Sequence, residues 1–233
     1  MEKKGNAAVR CISEKMKNHN IDSIIFDLDG TLWSSTRAIS EAWGIMLKKH
    51  DEITKKEVTE EELFGCMGLP MYDIAQRLFP DLPQQVRNDL MDELCIFEND
   101  YLAERGGELF AGLRETLEQL KKDYKLYIVS NCQDGYIEAF LQAHHMEAFF
   151  EDTECWGRTR TSKGESNKLL IARNGLKNPV YVGDTSGDYQ SAVDAGIPFI
   201  YAAYGFGEVK DCKYRIEDIR ELPEVLMHLE IKK

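Results

Sequence analysis

No Cys-x-x-Cys pair occurs in this chain, and its six cysteines (Cys11, Cys66, Cys95, Cys132, Cys155, Cys212) stand far apart. That spacing reads as reduced thiols in a cytoplasmic protein rather than a disulfide framework. The five histidines show no metal-ligand spacing, and His144-His145 read as surface or helix-end residues. No apolar run approaches the ~18 residues of a membrane span. Met1 to Asn20 is mixed and charged, without the apolar centre of a signal peptide. Positive charge is scarce too: 29 Lys and Arg against 41 Asp and Glu leave a formal net charge of -12. That balance argues against nucleic acid held on a basic surface and against docking on a membrane of anionic lipid. Repeats, low-complexity tracts and linkers are also lacking.

What remains is an ordinary globular composition, 43% hydrophobic and 30% charged over 233 residues. The length suits a core domain with an insert. Short apolar strands alternate with helical patterns, which predicts a parallel sheet covered by helices. The expected strands are 23–27, 125–130, 148–151, 180–183 and 198–202. A helix after Gly112 shows Leu113, Leu117 and Leu120 on one face, and another runs from Ser162 to Asn174 and stops at Gly175. Roughly 90 residues separate the first strand from the second, far more than a crossover needs. Between them, Leu90, Leu94, Phe97 and Tyr101 form one apolar stripe, and Ile74 with Leu78 begins another. Gly65, Gly68 and Pro70 punctuate the stretch. The expected architecture is therefore a doubly wound, Rossmann-like α/β core (1–33 and 110–233) with a small helical cap inserted at 34–109.

Phe26-Asp27-Leu28-Asp29-Gly30-Thr31-Leu32 is the most informative segment. It places two carboxylates two residues apart, where the apolar run Ile24-Ile25-Phe26 stops and a glycine turn begins. In open parallel sheets, ligands sit outside the carboxyl ends of the strands. The second strand ends in Ser130-Asn131 and the fourth in Gly183-Asp184-Thr185-Ser186-Gly187-Asp188. The helix before that fourth strand opens with Ser162-Lys163-Gly164-Glu165. Carboxylates, a hydroxyl and a lysine thus meet at one edge. Phosphoryl transfer needs such a set. An aspartate can attack phosphorus and split one hard displacement into two. Carboxylate oxygens hold Mg²⁺. A second carboxyl can shuttle the leaving group's proton, while hydroxyl and ammonium donors steady the phosphoryl oxygens.

These four motifs, in order from Asp27 to Asp188, resemble the haloacid dehalogenase superfamily, in its phosphoglycolate-phosphatase-like branch with a helical cap. The resemblance implies Asp27 as nucleophile and metal ligand, and Asp29 as general acid/base that also lends its backbone carbonyl to the metal. Thr31, Ser130, Asn131 and Lys163 would bind the phosphoryl group. Asp184 would hold Mg²⁺, and Asp188 would orient Lys163 or a water on the metal. The implied activity is a Mg²⁺-dependent phosphatase acting on a small phosphorylated metabolite. A phosphomutase of the same fold and a non-catalytic phosphate-binding protein are the alternatives.

Ser162-x-x-Glu165 makes Ser162 a helix N-cap and Lys163 the first helical residue, whereas Lys168 lies about 7.5 Å further along the axis and on another face. Lys163-Gly164 stands where the family usually has Lys-Pro. Trp33-Ser34-Ser35 lacks an aspartate that its phosphatases often carry, and Phe110-Ala111-Gly112 replaces a common Pro-Gly. Asp29 argues against carbon–halogen chemistry. Cys132 is expected near the pocket. Met67, Met71 and Tyr72 read first as core of the insert and second as lining of its substrate face, and Tyr204-Gly205-Phe206-Gly207 first as a structural turn and second as a border of the site.

Overall fold

Strand β1 (Ser23–Phe26) is buried along its whole length, as a central strand covered on both faces must be. The computed structural model describes residues 20–230, so Cys11 and the stretch 1–19 lie outside the described residues. β1 pairs in parallel with β4 (Lys125–Ser130) on one side and with β6 (Pro179–Gly183) on the other. β5 (Asp152–Cys155), β7 (Phe199–Ala202) and β8 (Arg215–Ile216) complete a six-stranded sheet of order β5-β4-β1-β6-β7-β8. The strand order reverses between β1 and β6, and there the crevice for a ligand opens. The doubly wound core expected from the strand–helix alternation is what forms.

Period-two alternation sorts the strand side chains into two cores. Ile24, Phe26, Leu126, Ile128, Val180 and Val182 face one cluster, against α5 (Leu113–Leu120), α6 (Tyr136–His144) and α10 (Leu222–His228). Ile25, Tyr127, Val129, Tyr181 and Phe199 face the other, against α8 (Lys163–Asn174) and α9 (Ser186–Ala195). His145 caps α6 at φ 53°, so the histidine pair does stand at a helix end.

The strand expected at 148–151 is displaced. Residues 147–149 form a 3₁₀ turn, with Phe149 and Phe150 packed onto the core, and the strand is the polar run Asp152-Thr153-Glu154-Cys155 that follows. Among the described residues β5 pairs only with β4, so an edge position tolerates the polar side chains that concealed it from a hydrophobicity reading. Three short strands were also unforeseen, one of them β8 at the sheet edge. β2 (Trp33–Ser34) pairs antiparallel with β3 (Glu108–Leu109), so the chain leaves and rejoins the core through a two-stranded ribbon. Between them lie α1 (Thr36–Leu47), α2 (Glu60–Phe64), α3 (Met71–Leu78) and α4 (Gln84–Arg105). Trp43, Leu63, Ile74, Leu90 and Leu94 bury into the same cluster that backs the sheet, so the insert is packed on the core.

Candidate active site

The carboxyl ends of β1, β4 and β6 carry the expected residues, and most of them are buried. Asp27 follows β1 directly, and its amide donates to the Val182 carbonyl, continuing the strand ladder by one residue. Lys163 is the first residue of α8, capped by Ser162, whose hydroxyl accepts from the Glu165 amide. A cation at a helix N-terminus opposes the helix dipole. Two carboxylates offset that cost: Lys163 Nζ lies 2.7 Å from Asp27 Oδ1 and 2.6 Å from Asp188 Oδ1. Lys168 instead pairs with Glu165 at the surface.

Asp188 has no spare capacity. Beyond Lys163, its Oδ2 accepts from the Thr185 amide at 2.9 Å, the Thr185 hydroxyl at 2.7 Å and the Asp184 amide at 3.2 Å. It closes the capping box of α9 and fixes Lys163 at once. Asp184 is different. Its Oδ2 accepts from the Phe206 amide at 2.7 Å, whereas Oδ1 is buried with no partner among the described residues. Single ligand atoms from Asp27, Asp184 and Asp188 lie within 4.8 Å of one another. Three carboxylates around one ammonium suit a hard divalent cation, which prefers oxygen ligands. Because Asp188 is saturated, Asp27 and Asp184 are the pair with capacity left to fit Mg²⁺.

Burial and the Asp188 charge outweigh Lys163 and push the Asp27 carboxyl up to about 7. Burial likewise raises Asp29 and Asp184. Asp29 Oδ1 takes three donors: Ser35 Oγ at 2.6 Å, Tyr136 OH at 2.8 Å and Trp33 Nε1 at 2.9 Å. Trp33 and Ser35 belong to the segment that departs from the family pattern, and Tyr136 arrives from α6. None was a candidate from the sequence, although Trp33-Ser34-Ser35 was noted there as unusual.

Close packing around Asp184 requires glycine. Gly30 has φ 82°, and a Cβ there would lie 2.2 Å from Asp184 Oδ2; at Gly205 it would lie 2.3 Å from Asp184 Cβ. The 204–207 segment, read as a structural turn, thus shapes the site through Gly205 and the Phe206 amide.

A cavity opens beside this cluster. Asp27, Asp29, Ser130, Asn131, Cys132 and Lys163 border it from the core, and the insert adds Trp43, Met67, Met71 and Glu98. Met67 and Met71 therefore line the cavity as well as packing inside the insert, while Tyr72 packs on Trp156. Thr31 is buried but does not border the cavity; its hydroxyl has no partner among the described residues, and its carbonyl accepts from Tyr204 OH. Core and insert meet at the rim. Asn131 Nδ2 donates to the Gly68 carbonyl at 2.9 Å, and the Phe64 and Phe206 rings make an edge contact at 4.9 Å.

The family model for haloacid dehalogenase-like hydrolases matches residues 24–202. The chain is 26% identical over 200 residues to the phosphoglycolate phosphatase of Nitrosospira multiformis, covering 82% of this chain and 87% of that one. It is 28% identical over 199 residues to the phosphoglycolate phosphatase of Synechococcus elongatus, covering 81% and 86%. Among solved structures, a predicted phosphoglycolate phosphatase from Haemophilus somnus superimposes with a TM-score of 0.78 at 20% identity, over 90% of this chain and 99% of that one. That last likeness speaks for the fold.

Proposed function

Because this chain belongs to the haloacid dehalogenase-like hydrolase family, we propose that it is a Mg²⁺-dependent phosphatase hydrolysing a small phosphomonoester through an aspartyl-phosphate on Asp27. One observation carries the reading. Asp27 is a buried strand-end carboxylate that borders a cavity, is held by Lys163, and neighbours an Asp184 oxygen with no partner among the described residues. Mg²⁺ held by Asp27, Asp184 and the Asp29 carbonyl would supply the positive charge that lets an anionic nucleophile approach an anionic ester.

In this reading, Asp27 attacks phosphorus while Asp29 gives its proton to the departing alcohol oxygen. Burial favours the protonated form of Asp29, which suits that role. Asp29 then takes a proton from the water that attacks the aspartyl-phosphate, and Asp27 is released with inorganic phosphate. Ser130, Asn131 and Lys163 steady the phosphoryl oxygens, and Asp188 keeps Lys163 aimed. The insert, residues 34–109, acts as a cap whose rim contacts at Gly68 and Phe64 limit bulk water. A cytoplasmic setting belongs to the same reading, with Cys66, Cys95, Cys132, Cys155 and Cys212 all free thiols.

The test is phosphate release from a panel of small monoesters. Turnover should require Mg²⁺, vanish in EDTA, and fall at least about a thousandfold in Asp27→Asn, as loss of a nucleophile does. Full activity in that variant would sink the mechanism. Isomerisation of sugar phosphates without phosphate release would favour the phosphomutase.

A further inference from the structure

One wall of the cavity bears polar groups that the hydrolytic steps do not use. Glu98 of α4 borders the cavity, yet its side chain is almost fully enclosed. Trp43 Nε1 donates to its Oε2 at 2.5 Å, and Gln133 Nε2 donates to its Oε1 at 2.8 Å. Beside it, Gln133 is nine-tenths buried and also borders the cavity.

The orientation of the Gln133 amide follows from a relay. Asn99 Nδ2 donates to the Asp134 carbonyl at 2.8 Å, so Asn99 turns its Oδ1 towards Gln133. Gln133 Nε2 donates to that oxygen at 3.0 Å as well as to Glu98. Both Gln133 N–H groups are thereby used on the protein, and its Oε1 is left buried without a partner among the described residues. A buried acceptor with no donor costs roughly 1–3 kcal/mol. A ligand that brings an O–H or N–H recovers that cost.

Glu98 supplies the complementary half. Its carboxyl is pushed up to about 8 by burial, against the two hydrogen bonds that favour its charge. Burial thus favours the neutral acid, the form that has one proton to donate. The pair is therefore a donor beside an acceptor. A hydroxyl answers both, accepting from Glu98 and donating to Gln133. A carboxylate can only accept, and an ammonium can only donate. Lys163 is the one cation among the described residues bordering the cavity, and it is already bound to Asp27 and Asp188. A substrate carboxylate would find no free positive charge here.

We infer that Glu98 and Gln133 set specificity for a phosphomonoester whose alcohol portion carries a further hydroxyl group, and disfavour one that ends in a carboxylate. This inference rests on the phosphatase reading above and adds to it the class of leaving alcohol.

Three esters with the same two-carbon skeleton isolate the end group: 2-hydroxyethyl phosphate, O-phosphoethanolamine and 2-phosphoglycolate. With Mg²⁺, kcat/KM should be about tenfold or more higher for the hydroxyl ester than for either of the others. Gln133→Met should shrink that preference by raising KM for the hydroxyl ester about tenfold, the size expected when one hydrogen bond is lost. If the variant fails to fold, the wild-type ranking decides alone. Mg²⁺-dependent release that favours 2-phosphoglycolate or O-phosphoethanolamine, and is abolished in Asp27→Asn, would overturn the inference while leaving the phosphatase standing. No release from these esters or from phenyl phosphate would overturn both.

Discussion

Asp29 reaches its environment through one oxygen, which collects hydrogen bonds from Ser35, Tyr136 and Trp33. Each bond favours the charged carboxylate and opposes the larger effect of burial. The balance sets how readily Asp29 can act as an acid, so Tyr136→Phe should shift it in a definite direction. Losing a donor to a charged acceptor costs about 1.5–3 kcal/mol, or about one pH unit or more. The Asp29 carboxyl should rise further, and the alkaline limb of the kcat profile should move up by about one unit. A profile for Tyr136→Phe that superimposes on wild type would remove Tyr136 from this role. Legibility at this scale divides in the same way. Asp27, Asp29, Lys163 and Asp184 stood out in the sequence because each sits at a strand or helix end within a local motif. Tyr136 and Gln133 did not, since their partners lie 107 and 35 positions away and no local pattern encodes that meeting.

Elements were legible where hydrophobicity and turn chemistry agreed. β4 runs over the residues expected of it, and α8 starts after Ser162 and ends at Gly175 in a left-handed cap. β5 was misplaced because an edge strand can be polar while the apolar Phe149 and Phe150 beside it serve the core from a turn. The β2–β3 ribbon of two residues per strand is too short to show any period. α8 permits a direct test of its cap. The Ser162 hydroxyl accepts from the Glu165 amide, but Glu165 binds Lys168 rather than returning a bond to Ser162, so the cap is one-sided. Ser162→Ala should cost about 1 kcal/mol, a fall in Tm of roughly 2–4 °C for a chain of this size. A change below 1 °C would mean that Lys163, anchored by two carboxylates, holds the helix start without the cap.

Over the whole molecule, three buried carboxylates face one buried ammonium, in a chain that is already strongly acidic. A carboxyl raised from 3.8 to about 7 on folding, as in Asp27, binds its proton more tightly in the native state. Its contribution to stability is fully present below about pH 4 and is lost as pH rises to about 7. Above that, the metal-free protein bears the full cost of ionising this cluster, and Asp184 adds to it in the same direction. Mg²⁺ held there would relieve the cost, and protons compete with it for the same oxygens. Thermal unfolding at pH 8 should therefore respond strongly to Mg²⁺. At about 100 times its Kd the ion adds about 2.7 kcal/mol, a rise in Tm of roughly 5–11 °C for this length. At pH 5.5 the rise should be clearly smaller. Asp27→Asn removes the ionisation cost and a ligand together, and melting it with EDTA and with Mg²⁺ reads the two separately. That variant should melt above wild type at pH 8 in EDTA and gain less from Mg²⁺. Were Mg²⁺ to leave the wild-type Tm unchanged at pH 8, or to raise both proteins equally, Asp27 would not be holding the ion.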